Sequence, residues 1–136
     1  MDDCIFCKII SGEIPSATIF EDKEFQVILD RFPSGNGHTL ILPKKHYANI
    51  FEIDPQVAGR LFQLAVKVAA AVKKTTNCDG MNILQNNGTI AGQTVNHFHL
   101  HIIPRFENDT VTIAWAQQNP TDASIEEIKQ AITANL

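Results

Sequence analysis

The strongest constraint on this chain is a run in which histidines alternate with apolar residues, His97-Phe98-His99-Leu100-His101, followed by two isoleucines. In a β-strand, successive side chains point to opposite faces, and like-facing side chains are ~6.6 Å apart. A strand over 96–103 therefore presents three of the chain's five histidines on one face and apolar residues on the other. Because a hydrophobic core has no packing need for three imidazoles, the run predicts a functional surface.

Three interpretations of this surface are open. The histidines could be ordinary, partly exposed residues of a sheet face. They could bind zinc, although three imidazoles in line converge poorly on a tetrahedral ion and no acidic residue stands beside them in the sequence. They could also serve nucleophilic catalysis, because a neutral imidazole can attack phosphorus while a protonated neighbour acts as an acid.

The loop before the run favours phosphate chemistry. Residues 86–95 include Asn86, Gly88, Gly92, Gln93 and Thr94. Glycines let backbone N–H groups approach an anion, and side-chain amides and hydroxyls add further donors. Such donors stabilise a phosphoryl transition state if they are in place where negative charge builds up. In isolation this loop would be an ordinary turn, but next to the histidines it is a candidate phosphate site.

The rest of the sequence predicts an α+β domain built on an antiparallel sheet. The clearest helix follows Asp54, a capping residue, with Pro55 in its first turn and Lys73 near its end. Its apolar face comprises Val57, Leu61, Leu64, Val68 and Val72. Shorter helices are predicted over 3–12 and from Ser124, whose hydroxyl pairs with Glu127 in a capping-box pattern. Strands are predicted over 17–21, 25–29, 39–42, 80–85 and 96–103, and in the second of them Phe25, Val27 and Leu29 alternate toward one face.

Composition narrows the classes of protein. A length of 136 residues with 44% hydrophobic residues predicts one domain over 1–136 with a core of ordinary size. A net charge of −4 argues against a nucleic-acid partner, because neutralising a polyanion requires a basic surface. The acidic start and the absence of an apolar run of ~20 residues predict no secretory signal, no membrane partner and a cytoplasmic location.

Residues 91–103 resemble the signature of the histidine-triad family, in which histidine and a hydrophobic residue alternate three times before two further hydrophobic residues. The likeness extends through 5–10, 12–15 and 42–46. It covers a core of about 4–105 and leaves a C-terminal extension over 106–136. The pattern looks closest to the nucleotide-binding proteins of bacterial type in this family.

The resemblance implies a homodimer whose sheets join into one, built on a sheet of about five strands with a long helix and short terminal helices. It implies hydrolysis of purine nucleoside phosphoramidates, such as adenosine monophosphoramidate, without a cofactor for catalysis. By position, His99 would be the nucleophile, steadied by a backbone carbonyl, and His38 would complete the polar network near it. Contacts to the phosphate or leaving group would come from His101, Asn86 and Thr94, with Gly92 and Gln93 lining the loop.

The same resemblance implies a nucleoside pocket. Asp30 would hold the ribose hydroxyls, and an apolar slot for the base would be formed by Ile5, Phe6, Ile9 and Leu29. From spacing alone, the three residues of the first helix would instead be core. Asp30 beside Arg31 could equally be a solvated ion pair of small energetic weight.

Cys4 and Cys7 form a Cys-x-x-Cys motif without a second such pair. Family members that share it bind a structural zinc through both cysteines and through histidines matching His46 and His97. Two free thiols are the equal alternative, and a redox role fits less well because the pair lies outside a thioredoxin-like context. Cys78 is expected to have no partner.

Several functional alternatives remain. The Ala91-Gly92-Gln93-Thr94-Val95 stretch and the Pro104-Arg105 pair also resemble the fragile-histidine-triad branch, which cleaves dinucleoside polyphosphates. A nucleotide-binding or signalling module without catalysis, and a zinc hydrolase that uses the three histidines as ligands, are the other two. Trp115 is expected in the core or at a dimer contact, because a lone tryptophan usually packs.

Overall fold

A computed structural model describes residues 3–136. It contains three α-helices and one five-stranded antiparallel sheet with the order β1-β2-β3-β5-β4, which confirms the predicted α+β class. The helices are α1 (Ile5–Ile10), α2 (Pro55–Thr76) and α3 (Asp122–Ala134); the strands are β1 (Thr18–Glu21), β2 (Phe25–Leu29), β3 (Thr39–Pro43), β4 (Gly80–Leu84) and β5 (Leu100–Arg105); a short 3-10 helix, Thr89–Ala91, lies between β4 and β5.

The sheet is covered on both faces in its middle strands. Phe25 and Val27 of β2 pack together with Ile41 in the main core, as their alternation predicted. Ile28 points the other way and packs with Phe6 of α1 in a second cluster. The expected third member of the first face, Leu29, is 40% exposed because it lies at the end of the strand. The second cluster holds α1 against the sheet.

The long helix confirms its sequence signals. The carboxylate of Asp54 accepts a hydrogen bond from the Gln56 N–H, and Pro55 occupies the first turn. The helix ends where Asn77 adopts a left-handed conformation with φ of 52°. Four of the five predicted face residues are buried on the sheet, and the fifth, Leu64, is partly buried beside them: Val57, Leu61, Leu64, Val68 and Val72.

The last strand differs from its prediction at both ends. β5 begins at Leu100 rather than at residue 96, because the chain before it turns toward the loop after β3, where the Phe98 N–H donates to the Tyr47 carbonyl at 2.6 Å. It also continues through Pro104 to Arg105, since β4 remains paired with it along that stretch. The prediction that regular order weakens at Pro104 was one residue early.

The segment after residue 109 packs poorly on its own chain. α3 begins at Thr121, whose hydroxyl accepts from the Ser124 N–H, so Thr121 and not Ser124 is the cap. No residue of α3 is buried. Trp115 is 81% exposed, so the expectation of a core position was wrong for this chain alone. Within residues 3–136, no helix has the length and apolar character needed to cross a membrane.

Candidate active site and metal centre

The three histidines of the run divide between two groups. His99 and His101 lie side by side with ring centroids 4.9 Å apart. His97, which is fully buried, instead contacts Cys4, Cys7 and His46. The expectation that all three would share one strand face was therefore wrong, because His97 and His99 precede β5 and do not follow the alternation of a strand.

Backbone contacts fix the ring of His99. Its Nδ1–H donates to the carbonyl oxygen of His97 at 2.6 Å, so the lone pair resides on Nε2. The Phe6 ring contacts His99 edge-on at 4.9 Å between centroids. Burial lowers the pKa of His99, which keeps the ring neutral at pH 7. A neutral imidazole with a free Nε2 is the form that can attack phosphorus.

A second chain of hydrogen bonds runs through His38 and His101. The Ser34 backbone N–H donates to His38 Nδ1 at 3.0 Å, so a neutral His38 carries its proton on Nε2. That proton is donated to His101 Nδ1 at 2.9 Å, which leaves the proton of His101 on its own Nε2. Asp30 Oδ2 lies 3.5 Å from His38 Nε2.

Burial and charge act in opposite directions on this pair. Burial lowers the pKa of His38, and together with the neighbouring His99 and His38 it lowers the pKa of His101 to about 4. The Asp30 carboxylate opposes the shift in both rings, because a negative charge favours the protonated form. The pair is thus neutral in the free protein and sensitive to any further negative charge placed beside it.

The loop before the run is braced from inside. The Gln93 side chain is buried; its Oε1 accepts from the Gly88 N–H at 2.8 Å, and its Nε2 donates to the Ala48 and Val95 carbonyls. Gly92 adopts a φ of +94°, and a Cβ there would stand 3.3 Å from Asn86 Nδ2. Gln93 therefore shapes the loop with its side chain, and its contribution to a ligand is limited to its backbone.

The predicted nucleoside pocket divides into core and open residues. Phe6 is buried and Ile9 packs beside it, so these two belong to the second cluster. Ile5 and Leu29 are 45% and 40% exposed and remain open to a ligand. Asp30 has one oxygen occupied by the Phe32 N–H and the other near His38. Thr94 opens onto a cavity of about 360 Å³ beside Cys4 and His46.

The thiol–histidine cluster, formed by Cys4, Cys7, His46 and His97, has the donors of a structural zinc site. All four ligand atoms lie within 4.8 Å of one another. His97 Nε2 donates to the Pro43 carbonyl at 2.8 Å, which leaves its Nδ1 lone pair facing the thiols. Burial lowers the pKa of His97 to about 4, so this ring is neutral, as a metal ligand must be.

The separations within the cluster match the edges of a zinc tetrahedron. His97 Nδ1 lies 3.4 Å from Cys4 Sγ, 3.6 Å from Cys7 Sγ and 3.1 Å from His46 Nδ1, and Cys7 Sγ lies 3.3 Å from His46 Nδ1. Usual zinc–ligand bond lengths give sulfur–nitrogen edges of about 3.6 Å and nitrogen–nitrogen edges of about 3.3 Å. The residues present therefore fit the ion.

Sequence reasoning missed the backbone partners of the histidines. The Ser34 N–H, the Pro43 carbonyl and the His97 carbonyl each bind one ring nitrogen, and none of these groups has a side-chain signal. Asp30 was considered only as a ribose contact, whereas its carboxylate also lies against the His38–His101 pair. The turn residues before His38 were the available clue, since a turn exposes N–H groups.

A five-stranded antiparallel sheet with two adjacent histidines, one of them held by the carbonyl of an earlier histidine, defines a small α+β protein of the histidine-triad class. The chain belongs to the HIT domain family, whose model matches residues 11–108.

Relatives with named activities are similar over most of the chain. Adenosine 5'-monophosphoramidase HNT1 of Saccharomyces cerevisiae is 38% identical, over 98% of this chain and 82% of its own length. Adenylylsulfatase HINT3 of Arabidopsis thaliana is 41% identical, over 96% of this chain and 64% of its own length. The chain is thus similar to hydrolases that act on nucleotides.

Solved structures agree with the fold. A HIT family protein from Bacillus anthracis has a TM-score of 0.94 at 40% identity, with 99% of this chain and 98% of that chain covered. A zinc-bound histidine triad family protein from Mycobacterium smegmatis has a TM-score of 0.77 at 32% identity, with 96% and 98% covered.

Proposed function

We propose that this chain hydrolyses purine nucleoside 5'-phosphoramidates, such as adenosine monophosphoramidate, through a covalent nucleotidyl intermediate on His99. The observation that carries the proposal is the bond from His99 Nδ1 to the His97 carbonyl, because it leaves Nε2 unprotonated beside His101. The named activity of the yeast relative supports a phosphorus–nitrogen bond as the target.

The reaction has two steps on the same histidine. In the first, His99 Nε2 bonds to phosphorus, the phosphorus–nitrogen bond breaks, and the leaving amine takes a proton. That proton comes from the His38–His101 pair, whose protonated form is favoured when the anionic substrate adds its charge to that of Asp30. In the second, water attacks phosphorus, its proton returns to the pair, and the nucleoside monophosphate leaves His99.

The remaining predicted residues hold the substrate. Backbone N–H groups of the loop around Gly92 and the side chains of Asn86 and Thr94 would bind the phosphate. Asp30 would accept from the ribose hydroxyls, and Ile5 and Leu29 would contact the base. Gln93, Phe6 and Ile9 would act by supporting these groups, since they are buried or packed against the second cluster.

Zinc at the thiol–histidine cluster is part of the proposal, as a structural ion and not as a catalyst. The two thiols and two neutral imidazoles suit zinc, and the zinc-bound mycobacterial structure supports the assignment. His99 and His101 lie outside this cluster, so the proposed chemistry needs no metal. The free thiols of Cys4, Cys7 and Cys78 are in keeping with a reducing compartment such as the cytoplasm.

A homodimer with a joined sheet is also proposed. β4 is an edge strand, so its outer N–H and C=O groups are available for pairing. On the same side, α2 carries an outward apolar face with Phe62 and Val66, which are 55% and 63% exposed, and Ile83 of β4 is 40% exposed. A second copy that continues the sheet would cover these residues.

The test is to trap the intermediate. Protein quenched during turnover of adenosine monophosphoramidate is expected to gain the mass of one adenylyl group, located on His99 by peptide analysis. His99→Ala should abolish both the adduct and turnover, by at least about 10³-fold. Rapid turnover with no adduct in either wild type or His101→Gln, or full activity in His99→Ala, would refute the assignment.

A substrate panel separates the related reactions. We expect the phosphoramidate to be cleaved with a higher kcat/KM than dinucleoside polyphosphates or an adenylyl sulfate, the type of substrate named for the plant relative. Preference for a dinucleoside polyphosphate would instead place the chain with the fragile-histidine-triad reaction. Nucleotide binding without cleavage of any of them would indicate a module without catalysis.

A further inference from the structure

We propose that the thiol–histidine cluster, when it holds zinc, sets the orientation of the nucleophile, so that metal occupancy governs the rate of nucleotidyl transfer to His99. Cys4, Cys7 and His46 are then positioning residues for the reaction and not only ties for the fold. The inference rests on the proposed function, because it concerns the same histidine.

The first link is the backbone of His97. Its imidazole belongs to the cluster, while its carbonyl oxygen accepts the Nδ1–H of His99 at 2.6 Å. Both interactions come from one residue that is fully buried. A change in the position of the His97 ring therefore moves the group that aims His99. Because this hydrogen bond also keeps Nε2 unprotonated, weakening it affects the tautomer as well as the direction of the ring.

The second link is α1. Cys4 caps this helix, with its Sγ accepting from the Cys7 N–H at 3.4 Å, so both thiols belong to the same first turn. Phe6, between them in sequence, contacts both the His97 ring at 5.9 Å and the His99 ring at 4.9 Å between centroids. A helix of six residues is too short to be stable alone, so its attachment decides where Phe6 lies.

Both links act on the same ring. The carbonyl of His97 holds one edge of His99, and Phe6 packs against it from α1. Metal binding at the cluster joins α1, His46 and His97 through a single ion, which reduces the freedom of all three relative to each other. Without that joint, the nucleophile keeps its partners but loses the fixed geometry that rapid attack requires.

The experiment compares loaded and metal-free protein with a matched set of variants. Cys7→Ser removes a ligand, His46→Cys replaces one ligand by another that zinc accepts, and Cys78→Ser is the control for loss of a thiol outside the cluster. The readouts are zinc content, the rate of adenylyl-His99 formation in a single turnover, and the nitrogen-15 chemical shifts of the His99 ring, which report its tautomer.

The expected result is a ~10–100-fold slower formation of the adduct in chelated wild type and in Cys7→Ser, with His99 spread over both tautomers. His46→Cys and Cys78→Ser should retain zinc, the Nδ1–H tautomer and a rate within about threefold of wild type. Chelated wild type provides the comparison if Cys7→Ser does not fold, and its circular dichroism establishes that the sheet persists.

Two outcomes overturn the inference. If chelated wild type keeps its fold and forms the adduct at the loaded rate, the ion does not position the nucleophile. If chelation unfolds the whole protein, the role of the ion is structural only. Neither outcome touches the proposed function, which fails separately if loaded wild type forms no adduct.

Discussion

Each histidine of the site is oriented by a backbone group. His38 receives the Ser34 N–H, His97 donates to Pro43, and His99 donates to His97. The identity of the three run histidines and of His38 could be predicted from the sequence, because their residue types and spacing are visible there. Their division into two groups could not, since it depends on where the chain bends before β5.

The pH dependence of stability tests the buried state of these rings. Folding keeps His101 neutral by lowering its pKa from 6.5 to about 4, with burial as the main cause. The unfolded chain binds a proton in that interval and the folded chain does not. Stability is therefore complete above about pH 6.5 and falls as the pH decreases toward 4, where both states are protonated.

His101→Gln should reduce this slope. The variant lacks the titrating ring, so its free energy of unfolding should fall less steeply below pH 6.5, by up to about 1.4 kcal/mol per pH unit. Urea unfolding at several pH values between 4 and 8 measures the difference. Parallel curves for the two proteins would mean that His101 is protonated in the fold as readily as in the unfolded chain.

At the scale of elements, the turn before β3 sets the position of His38. Gly37 adopts a φ of +90°, and a Cβ there would stand 2.7 Å from Thr76 Cγ2 of α2 and 3.3 Å from Pro104 Cγ of β5. The turn therefore lies against the end of the long helix and the last strand. Gly35 in the same turn has no atom within 4 Å of its Cβ position.

Gly37→Ala and Gly35→Ala form a matched pair. We expect Gly37→Ala to lower the free energy of unfolding by about 2 kcal/mol or more, because both the backbone conformation and the close contact oppose a methyl group. Gly35→Ala should stay within about 0.5 kcal/mol of wild type. Equal values in chemical denaturation would contradict the packing described for this turn.

Elements with strong local signals were predictable and the others were not. Asp54, Pro55 and a repeated apolar face specified α2 locally, and five short apolar segments specified the strands. The ends of β5 depend instead on the Tyr47 carbonyl and on continued pairing with β4, both distant in sequence. Likewise, the alternation in β2 could not reveal that α1 covers its second face.

At the scale of the whole molecule, the outward face of α2 and the edge of β4 test the homodimer. Phe62→Glu places a charge on the exposed apolar face and should convert the dimer to a monomer. Phe51→Glu is the control, since Phe51 is 85% exposed in the turn before α2 and lies outside that face. Sedimentation velocity measures the outcome. A monomeric wild type, or a Phe62→Glu variant that remains dimeric, would rule out this interface.

The C-terminal extension has a different relation to the fold. From residue 112 onward every residue is exposed, including Ile125, Ile128 and Ile132 along one side of α3. The sheet and its histidines therefore owe little of their packing to these residues. In a single chain this stretch is the natural place for a protease to cut first, and trimming it would leave the remainder of the molecule folded.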